Sequence, residues 1–201
     1  MVEYVINEKE RKETWKLAKD RACNLSGSHR IGLLVDYPNL YMHGKENGEY
    51  FDGRVLLKMA SQYGQVVTSK IYTTLQVRER LPGDLLKFER MGYEIVIRPI
   101  SKDATNNSKD IDALLITDVL CLLYESDIDV IIIASDDSDY VPAMRQIKKK
   151  GKIGVAFVCT IDGSRSIVNA STTADLIPFV KQPFISDVNL NKVLELSEEV
   201  N

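Results

Sequence analysis

Three acidic side chains follow directly on a short apolar segment in the second half of the chain. Residues 131–134, with the sequence IIIA, have the uninterrupted, largely β-branched character of a buried strand. Asp136, Asp137 and Asp139 come next, and a helical pattern begins at once. Acids this close repel one another, and a divalent cation such as Mg²⁺ or Mn²⁺ would relieve that repulsion because it prefers oxygen ligands. The competing interpretation is that Asp137 or Ser138 only caps the helix.

Two more carboxylates occupy positions where they could join this cluster. Asp36 ends the apolar segment IGLLVD and precedes Tyr-Pro-Asn, which predicts a turn. Asp112 lies near the start of a strongly apolar helix predicted over 110–124, where an acid either favours the helix N-terminus or faces a site. Asp118 projects about 120° away from Asp112 on a regular helix, so we expect these two carboxylates not to share one ion.

The elements that must position these acids alternate between strand and helix. Strands are predicted over 31–36, 65–75, 93–100, 130–134 and 153–159, with a short strand or ordered extension over 176–180. Helices are predicted over 51–63, 81–91, 110–124, 140–150 and 164–170. This alternation predicts an α/β fold of three layers, in which a mainly parallel sheet of five or six strands carries helices on both faces.

Right-handed crossovers leave few strand orders for such a sheet. In the order 3-2-1-4-5 the first and fourth strands are neighbours, and ligands bind at the carboxyl ends of the strands where the order reverses. Asp36 would then lie beside Asp137 and Asp139. No glycine-rich phosphate loop follows either strand, which argues against a dinucleotide or P-loop site.

The 201 residues have room for one domain between two terminal segments. We expect an N-terminal helical arm over 1–29, the α/β domain over 30–182, and a C-terminal helix within 183–201. The terminal helices would serve packing or homo-oligomerisation. No apolar run is long enough to cross a membrane and nothing at the start resembles a signal peptide, so we expect a cytoplasmic protein.

Cysteine and histidine offer little for catalysis in this sequence. Cys23, Cys121 and Cys159 are far apart without metal-ligand spacing, and we expect buried thiols in a reducing compartment. His29 and His43 have no partner in the sequence, which disfavours a Ser–His–Asp or Cys–His mechanism. The net charge of −3 argues neither for nor against a nucleic-acid partner. Any chemistry is therefore expected from carboxylates and a metal ion.

Three short motifs occur in order along the chain. They are D-x-x-N over 36–39, K-x-x-D over 109–112 and S-x-D-S-D-[FY] over 135–140. Together they resemble the NYN domain of LabA-like proteins (DUF88), which is part of the PIN-like nuclease superfamily. The similarity runs from about residue 31 to 180 and includes the closing segment SRSIVNASTTADLIPFV. The resemblance implies the 3-2-1-4-5 sheet and metal-dependent RNA cleavage.

The resemblance also implies roles for individual residues. The implied catalytic residues, which would bind Mg²⁺ or Mn²⁺, are Asp36, Asp112, Asp137 and Asp139. Asn39 would orient Asp36 or the substrate, and Lys109 would hold a phosphate or tether an acid. Asp136 departs from the glycine that is usual in the family, and its side chain would either tighten the ion or crowd the site.

An RNA substrate would need cations around the acidic cluster. The cationic candidates, chosen by their places near strand ends or loops, are Arg98, Lys102, Arg145 and Arg165. Ser135 and Ser138, which alternate with the acids, are further candidates for substrate contact. Tyr37 and Tyr140 would stack on bases or pack in the core. The lysines of 148–150 lie at the far end of their helix, and we expect them to be solvated.

Two other functions remain open. The sequence D-x-D-x-V that begins at Asp137 resembles the nucleophile motif of HAD-type phosphatases, in which the first Asp attacks phosphate. Here the motif ends the fourth strand rather than the first, and no later Asp-Asp pair follows. The domain could instead be a non-catalytic module that binds RNA or protein, which undetectable binding of divalent metal would favour.

Overall fold

The structure of the protein, a computed structural model, describes residues 29–75, 82–98 and 108–181, without the side chains at 82, 98 and 108–110. The predicted terminal helices, and any oligomer formed through them, lie outside the described residues. The same is true of Lys102 and of the side chains of Arg98 and Lys109.

Strands and helices alternate along the described chain. The strands are β1 Arg30–Asp36, β2 Glu49–Tyr50, β3 Gln65–Thr74, β4 Glu94–Arg98, β5 Val130–Ala134, β6 Ile153–Val158, β7 Thr173–Leu176 and β8 Val180–Lys181. The helices are α1 Tyr37–Asn47, α2 Gly53–Ala60, α3 Pro82–Arg90, α4 Ser108–Glu125, α5 Val141–Lys149 and α6 Arg165–Ala170, with a 3₁₀ turn at Ser138–Tyr140 before α5.

Six strands form one sheet in the order β4-β3-β1-β5-β6-β7, and every pairing in it is parallel. The first five of these strands have the predicted 3-2-1-4-5 order, and β7 adds a sixth strand at the edge. β1 lies between β3 and β5, with Val35 level with Ala134. The acids that follow β1 and β5 therefore emerge side by side at one edge of the sheet, as predicted.

The central strands are apolar on both faces, which is why the sheet has helices on both sides. In β5, Ile132 belongs to a core cluster shared with α1, α2 and α3, whereas Ile131 and Ile133 belong to a second cluster shared with α4, α5 and α6. Burying each such side chain stabilises the fold by about 1.5–3 kcal/mol. The three-layer α/β prediction is confirmed.

Helix α1 begins where the sequence predicts only a turn. Asp36 is its N-cap, with Oδ1 accepting a hydrogen bond from the backbone N–H of Asn39 at 3.2 Å. Pro38 lies in the first turn, where the absence of an N–H costs nothing. The helix ends at Gly48, whose φ of 65° is the left-handed conformation of a helix C-cap. The turn prediction was thus too short, and it missed eleven helical residues.

Other boundaries shift by a few residues. α2 covers Gly53–Ala60 rather than the predicted 51–63. The strand predicted over 176–180 is divided, because β7 ends at Leu176 and β8 pairs with β2 in a separate two-stranded sheet. Pro178 lies between them and has no N–H to donate to a ladder. Within the described residues, no helix has both the length and the apolar character that a membrane span requires.

Candidate active site

The site is built around Asp36, at the carboxyl end of the central strand β1. This carboxylate is only 4 % exposed. Besides capping α1, it accepts hydrogen bonds at Oδ2 from the hydroxyl of Ser135 at 3.0 Å and from that of Tyr140 at 3.1 Å. Asp36 therefore ties together β1, the start of α1 and the segment that follows β5.

Ser135 fixes the loop that carries the other acids. Its fully buried hydroxyl donates to Asp36 and accepts from the backbone N–H of Asp137 at 3.1 Å. These two bonds set the direction in which the chain leaves β5. Ser135 was predicted to contact substrate, but a side chain without solvent exposure cannot meet a substrate in this conformation. We therefore propose that it positions Asp36 and Asp137.

Tyr140 connects Asp36 to Asp112 on α4. The ring is completely buried, and the hydroxyl lies 2.8 Å from Asp112 Oδ1 and 3.1 Å from Asp36 Oδ2. A phenol has one proton to donate, so it serves one of the two carboxylates at a time. Of the two interpretations of Tyr140, the structure supports core packing over base stacking, because its ring is part of the core.

Asp112, Asp137 and Asp139 converge on one point. Each offers a carboxylate oxygen, and these oxygens all lie within 4.8 Å of one another. Asp112 and Asp137 are half-buried, whereas Asp139 is exposed. Asp112 comes from α4, Asp139 from the 3₁₀ turn after β5, and Asp137 is the N-cap of that turn. Three carboxylates with one side open to solvent are the donor set that Mg²⁺ or Mn²⁺ prefers.

Capping and ion binding are compatible at Asp137. Its Oδ1 accepts from the backbone N–H of Asp139 at 2.9 Å, so Asp137 does cap the 3₁₀ turn. The other oxygen takes no part in this bond. Among the side chains that the structure describes, no lysine or arginine forms an ion pair with Asp112, Asp137 or Asp139.

Burial and mutual repulsion disfavour the charged state of the inner acids. Burial raises the pKa of Asp36 to about 6, although the hydrogen bonds from Asn39, Ser135 and Tyr140 act to lower this pKa. Burial also raises the pKa of Asp112, and the charges of Asp137 and Asp139 add to the effect. A divalent cation among these oxygens would offset this cost. The residues present thus fit the kind of metal ion that the sequence analysis expected.

Asn39 and Asp136 stabilise the loop after β5 through hydrogen bonds to neighbouring segments. The side-chain Oδ1 of Asn39 accepts from the backbone N–H of Asp136 at 3.0 Å, which joins α1 to the loop after β5. The Asp136 carboxylate accepts from the backbone N–H of Cys159 at 2.7 Å and from the hydroxyl of Ser164 at 2.6 Å. Asp136 is therefore bound to β6 and α6, and it is not one of the three acids that converge.

The remaining predicted contacts lie at the surface or outside the described side chains. Ser138 is exposed at the start of the 3₁₀ turn. Arg165 is exposed at the start of α6 and pairs with Asp162 at 2.8 Å. Arg145 and the lysines of 148–150 are exposed on or just after α5, as expected for the lysines. The side chain of Lys109 is not described.

Three other predictions have clear outcomes. Asp118 points away from the site and contacts Lys70 at 3.0 Å and Tyr72 at 2.6 Å, which confirms the helix geometry. Tyr37 is buried and stacks on Tyr41, so it does not offer a base-stacking surface. Cys121 is exposed, which corrects the prediction of buried thiols.

The position of the Tyr140 hydroxyl between two carboxylates was not predicted from the sequence. The motif accepts Phe or Tyr at this position, and either residue can fill a core. Only the distances to two carboxylates distinguish the tyrosine. The contact between Asn39 and Asp136 was also not foreseen, because a helix over 37–47 was not predicted there.

Comparisons with known proteins agree on the fold. The family model for the NYN domain matches residues 30–177. An uncharacterized protein of Methanocaldococcus jannaschii is 27 % identical over 133 residues, which cover 66 % of this chain and 49 % of that protein. The chain thus spans about half the length of this curated relative. A crystal structure of a Vibrio parahaemolyticus protein of unknown function superposes with a TM-score of 0.66 at 18 % identity, covering 76 % of this chain and 95 % of that one.

Proposed function

The chain belongs to the NYN domain family, and on that basis we propose that it is a nuclease that cleaves RNA with Mg²⁺ or Mn²⁺. NYN domains are generally nucleases of the PIN-like superfamily. The observation that carries the proposal is the convergence of Asp112, Asp137 and Asp139, whose carboxylate oxygens lie within 4.8 Å of one another. Such a group suits phosphodiester hydrolysis, in which charge develops on phosphate oxygens.

Each acid has a distinct part in this proposal. Asp112, Asp137 and Asp139 hold the ion, and Asp36 shares the single hydroxyl donor of Tyr140 with Asp112. When bound, Mg²⁺ or Mn²⁺ lowers the pKa of a coordinated water and stabilises negative charge on the attacked phosphate. Asp139 is exposed, so the phosphate approaches from its side of the cluster.

The proposed substrate contacts surround this opening. Ser138 lies between Asp137 and Asp139 in the chain and is exposed, so its hydroxyl can donate to a phosphate oxygen. Arg165 is also exposed, and a phosphate would replace Asp162 as its partner. Lys109 keeps its proposed role as a phosphate-binding residue by its position in the first turn of α4.

Cleavage of a fluorescently labelled single-stranded RNA in Mn²⁺ tests the proposal. We expect Asp139→Asn to lower kcat by about 100-fold, because it removes a carboxylate that holds the ion while keeping the size of the side chain. The matched control is Asp127→Asn. Asp127 is exposed, pairs with Arg30 at 3.0 Å, and lies before β5 at the opposite edge of the sheet. Asp127→Asn should retain the wild-type rate. EDTA should abolish cleavage by the wild type and by Asp127→Asn.

Other outcomes of the same assay would assign a different function. Release of phosphate from p-nitrophenyl phosphate without RNA cleavage would favour the phosphatase alternative. Retention of RNA on the protein, with neither cleavage nor a response to Mn²⁺, would favour the non-catalytic binding module. Equal cleavage by wild type and Asp139→Asn would contradict the assignment of this cluster.

A further inference from the structure

A second group of metal-binding side chains lies beside the carboxylate cluster but does not belong to it. His43 on α1, Asp136 after β5 and Cys159 after β6 each offer one donor atom, and these atoms all lie within 4.8 Å of one another. The three residues are far apart in the sequence and come from three different elements. Sequence spacing could not have revealed this group.

We propose that His43, Asp136 and Cys159 form a binding site for a borderline divalent cation such as Zn²⁺. A thiolate, an imidazole and a carboxylate are all established zinc donors, and three of them leave one position for water. The sulfur and nitrogen donors discriminate against Mg²⁺ and Mn²⁺, which prefer oxygen. The site would therefore take a different ion from the one proposed for Asp112, Asp137 and Asp139.

Asp136 and Asp137 are adjacent in the chain, but their side chains belong to different groups of donors. Asp137, in an extended conformation, bonds to Asp139 in the 3₁₀ turn. Asp136 faces β6 and α6 instead, where it accepts from Cys159 and Ser164. Successive side chains of extended backbone point to opposite sides, so one loop serves both groups of donors.

The surrounding contacts already hold the donors near one another. The backbone N–H of Cys159 and the hydroxyl of Ser164 both donate to Oδ1 of Asp136, and the thiol of Cys159 also lies within hydrogen-bonding reach of this carboxylate. Asn39, one helical turn before His43, is anchored to the backbone of Asp136 at 3.0 Å. The His43 ring packs on Phe179 at 4.9 Å between ring centroids. A cation would thus enter a group whose backbone and ring positions are largely set.

Burial and access both suit a bound cation. Cys159 is only 7 % exposed, whereas His43 and Asp136 are half-buried and so remain partly accessible to solvent. As the bond between Sγ and the cation forms, the thiol proton passes to solvent.

Cobalt substitution gives a direct test, because a Co²⁺–thiolate bond produces a charge-transfer absorption band. The full chain carrying Cys23→Ser and Cys121→Ser leaves Cys159 as the single thiol. We expect this protein to develop the band with one Co²⁺ per chain and to lose it on addition of one equivalent of Zn²⁺. Cys159→Ser in the same background should abolish the band. His43→Gln and Asp136→Asn should each weaken Co²⁺ binding by about tenfold or more.

Two controls make the result decisive. Asp112→Asn in the same background should leave the band unchanged, since Asp112 belongs to the other cluster. Circular dichroism confirms that each variant is folded. The proposal is overturned if the folded background protein shows no band at saturating Co²⁺, or if His43→Gln and Asp136→Asn both bind Co²⁺ with unchanged affinity. Because no step measures RNA cleavage, this result is independent of the nuclease proposal.

Discussion

At the residue scale, the site depends on a few buried or half-buried polar groups that support the acidic cluster. Tyr140, Ser135 and Asn39 do not hold an ion in this account. Each instead fixes one carboxylate or the loop that carries it, at hydrogen-bond distances of 2.8–3.2 Å. Such supporting contacts strongly affect metal affinity, because they orient the ligands before the ion arrives.

The Tyr140 hydroxyl can be removed without disturbing the ring. In Tyr140→Phe the carboxylates of Asp36 and Asp112 lose their shared donor, while the core keeps its shape. We expect the free energy of unfolding to fall by about 1 kcal/mol and Mn²⁺ affinity to fall by about tenfold. Chemical denaturation and calorimetry measure the two effects. The control Tyr124→Phe changes an exposed ring on α4, and an equal loss of Mn²⁺ affinity there would contradict the prediction.

The buried carboxylate of Asp36 makes stability depend on pH. Its pKa is raised from 3.8 to about 6, so the folded state binds a proton more tightly than the unfolded state. The resulting stabilisation is complete below pH 4 and is lost as the pH rises through 6. The difference of about two pKa units corresponds to roughly 3 kcal/mol.

Asp36→Asn should remove this dependence in the metal-free protein. We expect the stability advantage of the variant over the wild type to be largest at pH 8 and to shrink by up to roughly 3 kcal/mol as the pH falls to 4. Urea denaturation in EDTA across this range measures it. Ser138→Ala, an exposed and non-titrating change in the same region, should run parallel to the wild type. A constant difference between Asp36→Asn and the wild type would refute the assigned pKa.

At the element scale, helix α1 connects the two groups of donors described above. It begins at the Asp36 cap, presents Asn39 to the loop after β5, and carries His43 one turn later. The sequence did contain a signal for this helix, since an aspartate followed by proline within two residues is a common helix start. The polar character of YMHGKEN masked it, because α1 buries only Tyr37, Leu40 and Gly44.

The hydrogen bond that joins α1 to the loop after β5 depends on the side chain of Asn39. In Asn39→Ala the backbone N–H of Asp136 loses its acceptor in a half-buried position. We expect a loss of about 1–3 kcal/mol in the free energy of unfolding, together with weaker Mn²⁺ binding. Asn47→Ala near the end of the same helix removes an exposed bond to the His43 carbonyl and should cost less. Equal losses of stability in the two variants would show that the link contributes nothing specific.

At the scale of the whole molecule, strand order determines which acids meet. The 3-2-1-4-5 order is one of the few that right-handed crossovers allow and is the order that the family resemblance implied, and it correctly placed the ends of β1 and β5 side by side. Those rules predict the path of the backbone and nothing finer. They do not give the direction of a side chain, so Ser135 was expected to meet substrate although it is buried, and the choice between stacking and packing for Tyr140 stayed open.

The pairing of β2 with β8 was also beyond prediction. These strands have two residues each, and one lies in the first part of the domain's sequence while the other lies at its end. Neither length nor periodicity identifies so short a strand. The group of His43, Asp136 and Cys159 could not be predicted either, because only the folded chain brings those residues together.

A calorimetric Mn²⁺ titration of the wild type and of Asp137→Asn, with RNA cleavage followed on the same samples, tests the central claim most directly. We predict saturable Mn²⁺ binding and cleavage in the wild type, and a loss of at least about tenfold in affinity, together with loss of cleavage, in Asp137→Asn. Asp127→Asn should behave as the wild type. A wild type that neither binds Mn²⁺ nor cuts RNA, or an Asp137→Asn variant that does both normally, would contradict the account.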